Sequence, residues 1–98
     1  MNVIRSREGV LIKEVCVLND LGLHARPAGR LAQEAQKFTA DVFLISGEQK
    51  VNAKSILDIL TLAASRGCSL QLEAEGPDAH EALTRLEDLF RDRFGEER

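Results

Sequence analysis

Residues 19–35 read NDLGLHARPAGRLAQEA, and the proline at position 27 decides how the chain on either side must be read. Proline has no N–H and a fixed φ, so it is tolerated in the first turn of an α-helix and not in later turns. Beyond it, Ala28, Leu31, Ala32 and Ala35 fall three and four residues apart, while Arg30, Gln33, Glu34 and Gln36 take the other side. That is the spacing of an amphipathic helix over 25–37. The residues ahead of Pro27 are then its cap and approach, which puts His24 at or near the cap.

Working outward, VLIKEVCVL at 10–18 sets Ile12, Val15 and Val17 against Lys13 and Glu14 and stops at Asn19–Asp20, which predicts a first strand. On the other side of the helix, residues 40–53 alternate Val42 and Leu44 against Phe43 and Ile45, turn at Ser46–Glu48 and predict a hairpin. SILDILTLAASRG repeats Ile56, Leu57, Ile59, Leu60 and Leu62 at helical spacing and closes on Gly67. CSLQLEAEG alternates as a strand with one wet face. PDAHEALTRLEDLFRDRF follows as a last helix, with Pro77 in its first turn and Ala82, Leu83, Leu86, Leu89 and Phe90 inward. The order is β-α-β-β-α-β-α. Strands that need cover on one face predict an α+β fold, an antiparallel sheet with all helices on one side. Residues 1–10 show no clear period and read as an N-terminal extension, flexible or loosely docked, ahead of a domain over 11–95.

Composition narrows the function. The 98 residues carry a formal charge of -3 and have four phenylalanines with no tryptophan or tyrosine. Nucleic-acid binding would ask for a basic face and stacking aromatics, so it is disfavoured. No apolar run reaches the roughly 20 residues of a membrane span, and the N-terminus lacks a secretory h-region, so a cytoplasmic protein is expected. Cys16 and Cys68 have no C-x-x-C spacing and read as reduced, with neither a metal site nor a disulfide framework. There is no nucleotide loop, metal cluster or catalytic pair, so no stand-alone enzyme and no cofactor are expected.

The chemistry gathers at His24. The N-terminus of the helix offers free N–H groups and the positive end of its dipole, a setting that suits a phosphoryl group, and Arg26 adds a guanidinium in the same turn. An imidazole in that field would be kept neutral and nucleophilic near pH 7. Gly22 and Gly29 leave room for close approach of another surface. On residue types alone, an ordinary capping or surface histidine stays an open reading. His80, in the solvated last helix with no ligand spacing to His24, reads as structural.

GLHARPA, followed about thirty residues later by AKSILDILTL, resembles the HPr family, the histidine-containing phosphocarriers of the bacterial sugar phosphotransferase system. The likeness runs from about Ile12 to the last helix. It implies an open-faced β-sandwich, a four-stranded antiparallel sheet with three helices on one face, in agreement with the layer argument. By resemblance, His24 is the phosphorylated residue, accepting on Nδ1 a phosphoryl group that comes from phosphoenolpyruvate by way of enzyme I and leaves to enzyme IIA domains. Arg26 matches the arginine that offsets phosphoryl charge. Ala25, Gly29, Ile56, Leu57 and Leu60 match the partner surface. Ser55 matches the serine modified by HPr kinase/phosphorylase in many members, although SILD also explains it as a helix cap. The resemblance implies a stoichiometric carrier rather than an enzyme, monomeric, with no cofactor or metal.

Some residues depart from relatives. Asp58 puts an acid on the partner-facing helix, and Gln33 and Gln36 make the first helix less basic, which weakens steering toward an acidic partner. The rival expectation is a regulatory binding module of the same fold, driven by Ser55 phosphorylation. Known non-carrier relatives replace the histidine, so His24 favours the carrier.

Overall fold

A computed structural model describes residues 3–7, as backbone, and residues 9–96 in full. The elements are β1 (Val3–Arg7), β2 (Val10–Cys16), α1 (Ala25–Ala35), β3 (Asp41–Ser46), β4 (Gln49–Asn52), α2 (Ile56–Thr61), β5 (Ser69–Glu75) and α3 (Ala79–Arg91). The sheet is antiparallel in the order β1-β2-β5-β3-β4.

The register explains why one face is dry. Lys13 lies opposite Leu72, Val15 opposite Leu70, Val42 opposite Ala74 and Leu44 opposite Leu72, so these side chains share a face. That face packs under the helices in one core with Leu31, Ala32, Leu83, Leu86 and Phe90. The opposite face carries Glu14, Cys16, Phe43, Gln71 and Glu75 and is open.

The expected four strands are present as β2-β5-β3-β4, and β1 adds a fifth at the β2 edge. Val3, Ile4 and Arg5 pair with Lys13, Ile12 and Leu11, and a bulge between Arg5 and Arg7 precedes the Arg7–Val10 pair. Part of the segment read as a loose extension is therefore a strand. Five residues interrupted by a bulge hold no period-two pattern, so the sequence had no signal to give. Met1, Asn2 and Glu8 of that segment lie outside the described residues.

Two further readings are corrected. Lys13 faces inward rather than outward, 5% exposed, with its ammonium 2.7 Å from Glu87 of α3. Ile12 takes the open face. Pro77 precedes the α3 cap, Asp78, instead of sitting in the first turn. The Asp78 carboxylate does not cap α3. It accepts hydrogen bonds from the backbone N–H groups of Thr39 and Ala40 at 2.9 and 2.8 Å, joining the start of β3 to that of α3.

Candidate functional site

Two turns of chain build the site. Gly22 has φ +66°, and a Cβ there would stand 2.4 Å from the Ala64 carbonyl oxygen. The loop after β2 thus presses its backbone onto the loop after α2, a contact sealed by Leu23 N–H donating to Ala64 at 2.9 Å. From there the chain turns into α1. His24 is its N-cap in extended conformation, and its carbonyl accepts the first helical bond from Ala28 N–H at 3.0 Å.

The imidazole makes no capping bond. It is 35% exposed, and its Nε2 lies 2.9 Å from Glu96 Oε2. The other carboxylate oxygen, Oε1, accepts from Asn19 Nδ2 at 2.9 Å, and the same amide donates to the Gly22 carbonyl at 2.7 Å. Burial opposes the Glu96 charge, but the hydrogen bonds from Asn19 and His24 and the positive potential of His24 and Arg26 outweigh it. The carboxyl is held below its ordinary value of 4.5. An ionised carboxylate only accepts, so Nε2 donates the hydrogen of this contact, and in the neutral form of the ring Nδ1 then carries the lone pair. Arg26 is exposed in the first turn of α1.

Helix α2 packs beside α1, and a Cβ on Gly29 would lie 4.0 Å from Ile56 Cδ1, an ordinary contact distance. Of the apolar residues of α2, Ile59 is buried in the core, while Ile56, Leu57 and Leu60 are exposed, Leu57 to 77%. Six helical residues cannot turn four large side chains onto one face, so the surplus points outward. Ser55 is the N-cap of α2, its Oγ accepting from Asp58 N–H at 3.2 Å. Asp58 is tied back to β4, where its Oδ2 accepts from Asn52 N–H at 3.2 Å. His80 lies exposed in the first turn of α3.

Sequence reasoning did not find Asn19, Leu21 or Glu96. Leu21 stands 74% exposed just before the Gly22 turn. An isolated leucine among loop residues has no period to reveal it. Glu96 reaches His24 across 72 positions, a separation that no local spacing encodes.

Cys16 and Cys68 are free thiols. No helix among the described residues is long and apolar enough to cross a membrane.

Residues 11–92 match the family model described as PTS HPr component phosphorylation site. The phosphocarrier protein HPr of Treponema pallidum is 43% identical over 88 residues, covering 90% of this chain and all of the relative. The HPr-like protein Crh of Bacillus subtilis is 52% identical over 65 residues, 66% of this chain and 76% of its own length. Among solved structures, HPr from Thermoanaerobacter tengcongensis superposes with a TM-score of 0.85 at 42% identity, covering 89% of this chain and 98% of that one. A histidine at a helix cap, on a sheet and three helices of this order, in a chain matched along most of its length, places the protein in the HPr family of phosphocarriers of the phosphotransferase system.

Proposed function

We propose that this protein accepts a phosphoryl group on His24 Nδ1 from phosphorylated enzyme I, the group originating in phosphoenolpyruvate, and passes it to enzyme IIA domains. The carrying observation is the state of His24: a half-exposed helix cap whose ring is free of capping duty and whose Nε2 is engaged by Glu96. Transfer forms a bond between Nδ1 and phosphorus as the donor's bond to phosphorus breaks, the electron pair staying with the donor. The N-terminal N–H groups of α1 and the Arg26 guanidinium offset the phosphoryl charge. Because the ring is regenerated only by handing the group on, the protein is a relay, acting in the cytoplasm as a monomer without cofactor or metal.

Ala25, Gly29, Ile56, Leu57 and Leu60 form the partner surface in this reading. Exposed apolar side chains beside a charged centre suit a transient docking face, where burial gives affinity and charge sets orientation. Ser55 is the regulatory position, modified by HPr kinase/phosphorylase. A phosphate there would sit at a helix start, which tolerates it, while bringing charge onto the docking face next to Asp58. Ser55→Asp therefore slows acceptance from enzyme I without unfolding α2, as measured by the initial rate of phosphorylation and by circular dichroism.

The test is incubation of the purified protein with phosphoenolpyruvate and enzyme I, followed by mass spectrometry and an acid-lability assay. One acid-labile phosphate on His24, absent in a folded His24→Ala variant, is expected. Uptake of the same phosphate by His24→Ala would overturn the assignment, and absence of transfer to the wild type would move the reading to a Ser55-controlled binding module.

A further inference from the structure

Helix α1 sorts its outward side chains by charge, and the sorting follows the two helices that flank it. On the α3 side stand Arg30, Glu34 and Lys37, all of them paired. Arg30 Nη1 donates to the carbonyl of Phe94, just beyond α3, at 2.8 Å. The Glu34 carboxylate takes Arg85 of α3 at 2.7 Å and Lys37 of its own helix at 2.6 Å. On the α2 side stand Ala25, Gly29, Gln33 and Gln36, spaced four, four and three apart and so aligned along one edge of the helix. Two contacts fix what that edge faces. Gly29 faces Ile56, and Gln36 Nε2 donates to the carbonyl of Lys54, the residue ahead of the α2 cap, at 2.9 Å.

Helix α2 continues the same strip with Ile56, Leu57 and Leu60 exposed. The charges at its start are turned away. Asp58 is half-buried, with Oδ2 bonded back to Asn52 N–H of β4. The Lys54 ammonium donates to the Phe38 carbonyl, beyond the far end of α1, at 2.9 Å. Arg26 is the exception, and it belongs to the histidine end of the strip, where its positive potential reaches Glu96. What runs from His24 between the two helices is a surface of leucine, isoleucine, alanine, glycine and amide.

We propose that this strip takes a partner surface that is itself apolar and uncharged: phosphorylated enzyme I docks here through an apolar cleft, held by burial, with charge confined to the meeting of Arg26 and the phosphoryl group. This deepens the carrier reading of His24 and rests on it. A charged cleft wall would lose hydration on closing against leucines and amides and find no counter-charge in return. An apolar cleft has no such cost and gains from the exposed carbons of Ile56, Leu57 and Leu60. Encounter is then not steered over long range, so the rate of productive docking is indifferent to salt. Selectivity lies in desolvation, since a carrier with lysines along α1 would be left with unpaired charges in the same cleft.

The experiment measures phosphoryl acceptance from the enzyme I of the same organism against potassium chloride, for wild type, Leu57→Ala, Leu57→Lys and Leu57→Glu. Leu57 is exposed, so the variants keep the fold, as circular dichroism verifies. Wild-type kcat/KM is expected to change less than about twofold between about 0.02 and 0.5 M salt, while the screening length falls from about 20 Å to about 4 Å. Leu57→Ala is expected to raise KM about fivefold with kcat within about twofold, the pattern of lost docking rather than lost chemistry. Leu57→Lys and Leu57→Glu each raise KM at least about tenfold, by factors within about threefold of one another, because an uncharged cleft rejects either sign. A steep fall of wild-type kcat/KM with salt, or one of the two charged variants docking as well as leucine, would show a charged cleft and overturn the proposal with the carrier reading intact. Failure of the wild type to take phosphate on His24 at any salt concentration would overturn both.

Discussion

At the scale of single residues, the site depends most on a position that carries no functional group. Gly22 is held at a positive φ with the Ala64 carbonyl where its Cβ would be. Gly22→Ala is expected to cost at least about 2 kcal/mol, because both the backbone conformation and the contact distance must give way. Urea unfolding measures the loss, and a variant as stable as the wild type would show that the two loops separate freely. The sequence made Gly22 legible as a turn residue and His24 as a cap, since both follow from Pro27 and the helix behind it. Glu96 was not legible, because its contact with His24 spans 72 positions and exists only in the folded chain.

At the scale of elements, periodicity served well where one side chain type dominates a face. The inward sets Val42 and Leu44, Leu70, Leu72 and Ala74, and Ala82, Leu83, Leu86, Leu89 and Phe90 are all buried as their spacing requires. It failed at β2, where Lys13 occupies a core position. A charge is read from sequence as solvent-facing, but the Lys13 ammonium is paired with Glu87, which also lies 3.2 Å from Arg91 of its own helix. The pair joins β2 to α3 through the protein interior. Glu87→Ala should destabilise the fold by about 3 kcal/mol, because it leaves a buried ammonium without its counter-charge. Lys13→Met combined with Glu87→Leu should restore most of that loss. Denaturation of the single and double variants decides it, and a harmless Glu87→Ala would mean that the pair is solvated in solution. The bulged strand β1 escaped periodicity for the opposite reason, since it is too short and too irregular to show any.

For the whole molecule, acid is the informative variable. Three carboxyls that join distant parts of the fold are held below their ordinary values. Glu34 of α1 is lowered by hydrogen bonds from Lys37 and Arg85. Asp78 is lowered by the N–H groups of Thr39 and Ala40. In Glu96, burial pulls the other way and is outweighed by Asn19, His24 and Arg26. A carboxyl depressed in the folded state contributes stability above its unfolded value, here 3.8 for Asp78 and 4.5 for the glutamates, and loses it as the pH falls through the folded value. The urea midpoint is therefore expected to be level between about pH 7 and pH 5 and to fall below about pH 4. A midpoint that rises on acidification would contradict these pairings.

Strand order also has a temporal side. Two hairpins, β1-β2 and β3-β4, are local in sequence, and β5 lies between them as the bridge through which one half of the sheet is paired with the other. During synthesis from the N-terminus, all four hairpin strands leave the ribosome before β5 does. Their inner edges, at β2 and β3, stay open until residues 69–75 emerge. At about 5–20 residues per second that wait lasts on the order of seconds, long beside the microseconds in which a hairpin closes. Translation speed, and not chain collapse, therefore sets the time the nascent chain spends with two unpaired edges, and the late strand that ends the wait is the one on which the whole sheet closes.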